Sequence, residues 1–375
     1  MNNFKHMELP PKLLGALEAM NFYAPTPIQE KAIPHVLAGK DLIGCAQTGT
    51  GKTAAFSIPL ICHLLKNHEQ SALILVPTRE LAFQIMGVLK KMTAPFAELK
   101  TVLLIGGASM GNQIRDLSRR PRVIVGTPGR VIDHLNQKTL FVHKTKFLVL
   151  DEADRMLDMG FAQQLREIFR HLSHARQTVL FSATFPSDIE QMTKKYLKNP
   201  TYVSVGVASQ PVKEVKQSTI QTTASTKNET LLNALRQRNG SVLIFTRTKR
   251  RTDRLAFFLR EKKLPVDRIH GGLSQSQRMN AIRDFRANKS RILVATDIAA
   301  RGLDILHIQH VINYDLPLVP EDYVHRIGRT ARAGASGEAL SLLIPEDYHV
   351  WKKISQLYKI QDPPMNKSKK AHFSF

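Results

Sequence analysis

Short apolar runs alternate with amphipathic segments along the chain, and this alternation occurs in two successive series. The first series predicts strands at 41–45, 71–76, 101–105, 122–125, 146–150 and 178–181, and the second at 217–221, 242–245, 266–269, 292–295, 310–313 and 337–343. Helical segments separate the strands. Because such β-α alternation needs crossover connections, each series predicts a parallel sheet with helices on both faces. The fold class is therefore α/β, with two sheets in tandem.

The length of the chain agrees with two domains. With 375 residues, it is too long for one compact domain of ordinary size. Turn-forming residues without clear periodicity follow the first series, so we place a linker at 207–213 between domains 1–206 and 214–362. Residues 363–375 begin with two prolines and read as a short basic tail that we expect to be disordered.

Composition restricts the partners and the compartment. Lys and Arg number 54 against 31 Asp and Glu, and this net charge of +23 favours a polyanionic partner over a role in solubility alone. Only Cys45 and Cys62 are present, and the 14 histidines lack metal-ligand spacing, so neither a disulfide framework nor a cysteine zinc site is expected. No apolar signal region or membrane-spanning stretch is evident, so we expect a cytoplasmic protein without membrane contact.

A glycine-rich loop follows the first predicted strand. Glycine backbone N–H groups can approach phosphates, Lys52 can reach the β and γ oxygens, and Thr53 offers a hydroxyl to Mg²⁺. A strand-to-helix turn without a ligand is the alternative, and the Gly-Lys-Thr sequence after a strand argues against it. The candidate nucleotide-binding residues of this loop are Ala46, Gln47, Thr48, Gly49, Thr50, Gly51, Lys52 and Thr53.

A second cluster, Asp151-Glu152-Ala153-Asp154, follows the apolar strand at 146–150. A buried strand that ends in a carboxylate can hold the Mg²⁺ that bridges nucleotide phosphates, so Asp151 and Thr53 are the predicted metal ligands. Glu152 is placed to orient and deprotonate an attacking water, and Asp154 is better suited to orienting a partner. Ligands bind beyond the carboxyl ends of parallel strands, so the two motifs together predict an NTPase.

The second series carries no phosphate loop but has three arginines within residues 325–332. Phosphoryl transfer spreads negative charge over the γ oxygens, and a guanidinium that arrives only in a closed state stabilises that charge selectively. Arg329 and Arg332 are therefore candidate catalytic residues. A solvated basic turn is the alternative.

With these motifs in this order, the chain resembles the DEAD-box ATP-dependent RNA helicases from Phe4 to about residue 345, and is most similar in style to the bacterial RhlE-like branch. The resemblance implies two tandem RecA-like domains, ATP and Mg²⁺ as cofactors, and RNA as a partner bound independently of sequence. It also implies a monomer that unwinds short duplexes locally or remodels RNA-protein complexes, in ribosome assembly or RNA decay. An ATP-gated RNA clamp and a DNA translocase remain alternatives.

The resemblance assigns further residues to nucleotide binding. Gln29 would bond the adenine edge and Phe22 would stack on the base, with Phe4 as the upstream aromatic and Asp304 at the ribose. A side-chain amide can both donate to and accept from adenine, so ATP is expected over GTP.

A track along the RNA backbone is implied in both domains. Hydroxyls, backbone N–H groups and arginines suit phosphates and sugars, so the contacts should accept any sequence. Without the resemblance to the family, it is about equally plausible that each of these segments is only a turn capped by Thr or Gly. The implied RNA-binding residues are Thr78, Arg79, Gly107, Thr127, Arg130, Arg247, Gln275, Arg278, Thr296, Asp297 and Arg301, and the implied coupling residues are Ser182, Thr184 and His325.

Three residues depart from the family pattern. Asn21 and Ala331 stand where glycine is usual, and Gly272 stands where aspartate is common. Ala331 would cost about 1 kcal/mol if its position needs a positive φ, and it could shift Arg332.

Overall fold

The structure is a computed structural model that describes residues 3–46, 49–185, 187–205, 215–300, 308–331, 337–358 and 360. The chain divides into two compact units. The described residues of the first unit lie within 3–205 and those of the second within 215–360. The predicted linker at 207–213 lies outside the described residues, so the proposed domain boundaries stay predictions. No described helix is long and apolar enough to cross a membrane.

The first unit is a seven-stranded parallel sheet in the order β3-β4-β2-β5-β6-β1-β7. Its strands are β1 (Leu42–Ala46), β2 (Ser71–Leu75), β3 (Thr101–Leu104), β4 (Val123–Gly126), β5 (Thr145–Leu150), β6 (Gln177–Ser182) and β7 (Thr201–Val205). Its helices are α1 (Pro11–Ala19), α2 (Pro27–Leu37), α3 (Lys52–Lys66), α4 (Arg79–Thr93), α5 (Met110–Ser118), α6 (Pro128–Asn136), α7 (Ala153–Asp158), α8 (Ala162–His171) and α9 (Ser187–Tyr196), after a 3₁₀ helix at Phe4–Met7. The buried apolar side chains of this unit form two core clusters.

The second unit is a six-stranded parallel sheet in the order β10-β11-β9-β12-β13-β8. Its strands are β8 (Val215–Gln221), β9 (Val242–Thr246), β10 (Val266–Ile269), β11 (Ile292–Thr296), β12 (His310–Asn313) and β13 (Gly337–Leu343). Its helices are α10 (Lys227–Arg236), α11 (Lys249–Glu261), α12 (Gln275–Arg286), α13 (Asp297–Ala300), α14 (Glu321–Ile327) and α15 (Tyr348–Tyr358), with a 3₁₀ helix at Pro345–Asp347.

Every predicted strand is present, with its ends within two residues of the prediction. The sequence analysis missed β7, which lies at the edge of the first sheet. In this strand only Val203 is buried, and Tyr202 and Ser204 are exposed. Such a half-exposed edge strand lacks the continuous apolar run that identified the central strands.

In both units, an arginine at the amino end of the sheet donates hydrogen bonds to carbonyl oxygens at and after the end of a helix. In the first, Arg122 donates to the carbonyl oxygens of Leu64 at 2.7 Å and Gln70 at 3.0 Å. In the second, Arg291 donates to those of Leu235 at 2.9 Å and Gly240 at 2.8 Å. Arg122 precedes β4 and contacts the end of α3, and the strand that follows α3 is β2, a neighbour of β4. Arg291 precedes β11 and contacts the end of α10, and the strand that follows α10 is β9, a neighbour of β11. A cation there satisfies carbonyls that the helix leaves unpaired and opposes the negative end of its dipole.

Candidate nucleotide and RNA site

The phosphate loop lies between β1 and α3, as predicted. Gly49 and Gly51 have φ values of 87° and 96°, which glycine adopts readily. A Cβ atom on Gly51 would lie 2.5 Å from Nε2 of Gln29, so only glycine fits there. Nζ of Lys52 is buried and donates to the carbonyl oxygen of Ala46 at 2.9 Å, which places the ammonium group inside the loop. Gln47 and Thr48 lie outside the described residues.

The start of α2 is hydrogen-bonded to this loop. Nε2 of Gln29 donates to the carbonyl oxygen of Gly51 at 3.0 Å, and Oε1 of Gln29 accepts from the backbone N–H of Thr26 at 3.0 Å. Oγ1 of Thr26 donates to the carbonyl oxygen of Thr50 at 2.8 Å. Gln29 therefore contacts the phosphate loop directly, and its contact with adenine remains a prediction.

The two aromatic candidates differ in exposure. Phe22 is half-buried and packs against the core, so part of its ring is accessible. Phe4 is only 2% exposed and belongs to the same core cluster. The contact of Phe4 with the nucleotide remains a prediction.

The acidic cluster begins where β5 ends, and its three carboxylates are all buried. Burial raises the pKa of Asp151 to about 6, and the neighbouring Lys52 acts in the opposite direction. A divalent cation would favour the ionised carboxylate, and carboxylate and hydroxyl oxygens are the ligands that Mg²⁺ prefers. Asp151 and the half-buried Thr53 therefore fit the predicted metal role. Among the described residues, no group of three or more His, Cys, Asp or Glu could hold a metal.

Glu152, the predicted base, has a left-handed backbone with φ 54° and ψ 50° immediately before α7. Its Oε2 accepts from Nη1 of Arg155 at 3.0 Å, and the side chains are 4% and 3% exposed. The sequence analysis did not single out Arg155. The signal that could have found it is the spacing, because side chains three residues apart at a helix start face each other.

Asp154 links the ends of two neighbouring strands. Its Oδ2 accepts from the backbone N–H of Ala183 at 3.1 Å and from the N–H and Oγ1 of Thr184, both at 2.9 Å. Oγ of Ser182 donates to the carbonyl oxygen of Thr184 at 2.6 Å. Asp154 is thus an orienting residue, as predicted. The segment that follows β6 is bonded to the segment that carries Asp151 and Glu152.

The RNA-binding candidates of the first unit follow β2, β3 and β4, which are neighbours in the sheet. Oγ1 of Thr78 accepts from the backbone N–H of Leu81 at 3.3 Å and so caps α4. The guanidinium of Arg79 lies against Gly107, where φ is 78° and a side chain would collide with it. Thr127 precedes α6, and Arg130 donates to the carbonyl oxygen of Ala108 at 3.1 Å. The structure therefore brings all five predicted residues to the carboxyl edge of this sheet.

The candidates of the second unit follow β9, β10 and β11, which are also neighbours. Arg247 is exposed, Gln275 is half-buried, and Arg278 and Thr296 are buried. Asp297 accepts from Nε and Nη2 of Arg326 at 2.6 and 2.7 Å. This ion pair engages both carboxylate oxygens of Asp297, so Asp297 orients Arg326 and its contact with RNA remains a prediction. Arg301 and Asp304 lie outside the described residues.

The arginine cluster is not uniform. Arg326 is 2% exposed, and it also donates to Oδ1 of Asn313 at 3.1 Å. Carboxylate, amide and carbonyl oxygens of its own unit accept from Arg326, so this arginine has an internal structural role. Arg329 follows α14 and is 3% exposed, and His325 within that helix is half-buried. Ala331 has a φ of 53°, so the departure from glycine falls where glycine is favoured. Arg332 lies outside the described residues.

A phosphate loop and a strand-end carboxylate on one parallel sheet, followed by a second parallel sheet with an arginine cluster, define a P-loop NTPase with two tandem domains. Residues 26–192 match the family model of the DEAD/DEAH box helicase, and residues 226–334 match that of the helicase conserved C-terminal domain. The chain belongs to the DEAD-box family of ATP-dependent RNA helicases, which are RNA-stimulated ATPases.

Two relatives cover nearly the whole chain. It is 44% identical over 372 residues to the ATP-dependent rRNA helicase RRP3 of Candida albicans, a match that spans 98% of this chain and 69% of the relative. It is 43% identical to the DEAD-box ATP-dependent RNA helicase CshA of Geobacillus kaustophilus, over 96% of this chain and 76% of the relative.

Solved structures give the same fold. S. cerevisiae Dbp5 bound to RNA and ADP BeF3 is 34% identical, with a TM-score of 0.86 over 96% of this chain and 95% of that chain. Mss116p bound to ssRNA and AMP-PNP is 28% identical, with a TM-score of 0.87 over 96% and 78%. The two units are therefore tandem RecA-like domains.

Proposed function

We propose that this RNA helicase hydrolyses ATP at a site completed by both units only when RNA is bound. Lys52 and the loop N–H groups would bind the phosphates, and Asp151 and Thr53 would hold the Mg²⁺ that neutralises charge on them. Glu152 would orient and deprotonate the water, and Arg329 and Arg332 would stabilise the charge that develops on the γ phosphate. Gln29, Phe22 and Asp304 would hold the adenine and ribose, so that ATP is the nucleotide.

The observation that carries this proposal is the hydrogen bonding of Asp154 to Ala183 and Thr184. The acidic segment that presents Asp151 and Glu152 cannot move without disturbing the segment after β6. This physical link supports a coupling role for Ser182 and Thr184, with His325 as the coupling candidate of the second unit. RNA contacts could then influence the position of the base.

RNA would bind along the carboxyl edges of the two sheets. The candidates are threonines, arginines and glycine turns, which contact phosphates and sugars without reading bases. The net charge of +23 supports an affinity that falls steeply with salt. If closure distorts one strand, unwinding would be local and would favour short duplexes over long ones. The proposed contacts of Arg301 and Arg332 rest only on the resemblance of their motifs to those of the family.

Three finer assignments belong to the same proposal. The bacterial RhlE-like branch and the monomeric state are inferred from the resemblance of the motifs. A cytoplasmic location accords with two free, buried cysteines. Ribosomal and RNA-decay complexes are both suitable settings, because a backbone track does not select a particular RNA.

The proposal is tested by ATP turnover with and without unstructured RNA in two variants. Lys52→Ala should lose nucleotide affinity and turnover, because the phosphates lose their cation. Glu152→Gln should still bind ATP and RNA but accumulate the closed complex, because only the base is lost. Wild-type turnover by Glu152→Gln would exclude Glu152 as the base.

A separate measurement distinguishes a helicase from a clamp. Unwinding of short and long RNA duplexes, with a DNA duplex of equal length as control, reports the substrate class. We expect unwinding of short RNA duplexes only. Stable ATP-dependent RNA binding without unwinding of any duplex would favour the clamp.

A further inference from the structure

One outer face of α11 carries positive charge without counterions. Lys249, Arg250 and Arg254 are exposed, and none of them forms an ion pair with the residues that the structure describes. By contrast, Arg251 in the same helix pairs with Asp315 at 3.1 Å. The opposite side of α11 buries Thr252, Leu255, Ala256 and Leu259. Arg250 and Arg254 therefore lie on the solvent side of a firmly packed helix, and Lys249 lies at its amino end.

The arrangement of these charges is unfavourable for the isolated protein. Arg250 and Arg254 are four residues apart, a spacing at which like charges on a helix repel. The first turn of α11 has no acidic residue, so its cations also oppose the positive end of the helix dipole. A bound polyanion would relieve both kinds of repulsion.

An exposed aromatic ring extends the same face. Phe257 is 62% exposed and lies seven residues after Arg250, so the two project from one side of the helix. The rise of about 1.5 Å per residue separates them by about 10 Å along the axis. Exposed aromatic rings interleaved with cations are the combination with which proteins bind single-stranded nucleic acid.

The position of the helix connects this face to the proposed RNA track. Arg247, a track candidate, follows β9 at the carboxyl edge of the second sheet, and α11 begins two residues later. The helix then runs from that edge toward the opposite one. RNA that leaves the track beside Arg247 would therefore meet Lys249 first, then Arg250 and Arg254, and finally Phe257.

We propose that this α11 face, formed by Lys249, Arg250, Arg254 and Phe257, binds RNA that extends beyond the track. The cations contact backbone phosphates, and the ring of Phe257 stacks on an unpaired base. The inference rests on the proposed function, since it takes RNA as the ligand. It adds a binding surface that the strand-end motifs do not include.

The test compares the double variant Arg250→Gln/Arg254→Gln with the control Lys352→Gln/Lys353→Gln. The control removes the same charge from exposed positions on α15 of the same unit. RNA affinity is measured against salt for a short unstructured RNA that fills only the track and for a longer one. For the longer RNA, the negative slope of log affinity against log salt should become shallower by about 1.4 in the double variant, which is about 0.7 for each lost phosphate contact. The short RNA and the control should keep the wild-type slope.

A second variant tests the aromatic residue. Phe257→Ala should weaken binding of the longer single strand by about 5-fold or more, and leave binding of the short RNA unchanged. Thermal unfolding accompanies both measurements. The double variant should melt no lower than the wild type, because it removes a like-charge pair, so a weaker affinity would not arise from unfolding.

The outcomes separate this inference from the proposed function. A wild-type slope with the longer RNA in the double variant would make the α11 face ordinary solvated surface and overturn the inference. Equal losses with short and long RNA would assign these arginines to the track and overturn it as well. If the double variant lost binding to polyglutamate while its RNA slopes stayed at the wild-type values, the ligand of the α11 face would be an acidic protein, and the inference would be overturned. Failure of RNA to stimulate ATP hydrolysis in the wild type would contradict the proposed function itself.

Discussion

Arg155 donates to the carboxylate of Glu152 at 3.0 Å, and both side chains are almost completely buried. The proposed base is therefore held by a residue of the helix that follows it, α7. A buried carboxylate that loses a cation partner is costly, because it cannot be solvated in compensation. The pair ties the stability of the first unit to the placement of the proposed base.

We expect Arg155→Met to destabilise the protein by about 3–5 kcal/mol, because it leaves the charge of Glu152 buried without this partner. In a Glu152→Gln background the same substitution should cost less, since the remaining amide is neutral. Urea unfolding of the wild type, both single variants and the double variant gives the coupling energy. Equal costs of Arg155→Met in the two backgrounds would show that the ion pair does not matter.

Cys62 should be unreactive in the folded protein. Burial raises the pKa of its thiol to about 11, so at pH 8 only about one thiol in 10³ is the reactive thiolate. Iodoacetamide labelling, in a Cys45→Ala background to isolate Cys62, should be slow in buffer and fast in urea. Rapid labelling of Cys62 under native conditions would contradict the buried environment.

The same thiol gives a dependence of stability on pH. The thiol of the unfolded chain ionises near pH 8.5 and that of the folded protein near 11, so the unfolded state loses its proton first. The contribution of Cys62 to the free energy of unfolding should therefore fall as the pH rises through this interval. Cys62→Ala should reduce that pH dependence.

Ala331→Gly should stabilise the second unit by about 1 kcal/mol, because Ala331 has a φ of 53° and glycine adopts that conformation without a Cβ clash. Ala256→Gly is a control of opposite sign, since Ala256 is buried within α11 and glycine there loses packing and helix propensity. Thermal unfolding of both variants is the measurement. A lower melting temperature for Ala331→Gly would mean that the methyl group contributes packing that outweighs the strain.

The sequence predicted most of the fold because its central strands are continuous apolar runs with clear ends. It also located the phosphate loop and the acidic cluster, since both are contiguous and follow strands. Apart from the contact of Arg155 with Glu152, the contacts that it missed join residues that are distant in the sequence. Asp297 and Arg326 are 29 residues apart and meet only when α14 packs near the end of β11. The burial of Phe4 in the core likewise depends on neighbours that a motif does not specify.

Local sequence patterns also could not predict which loop residues contact each other. The link from Asp154 to Thr184 depends on β5 and β6 being neighbours, which the order of strands along the chain does not give. Similarly, the contact of Gln29 with Gly51 depends on α2 packing beside the phosphate loop. Residue types identified the correct segments, and tertiary packing decided what each side chain contacts.

The central claim, that a residue of the second unit completes the ATP site, is tested most directly by single-turnover hydrolysis in Arg329→Gln. The assay uses saturating ATP and RNA, with ATP affinity and thermal unfolding measured on the same preparation. Loss of an arginine that stabilises the transition state lowers the rate by about 10³ to 10⁵ in comparable phosphoryl-transfer enzymes. We predict a loss of at least about 10³ with a nearly unchanged ATP affinity and a folded protein. Hydrolysis near the wild-type rate by the folded variant would contradict the claim.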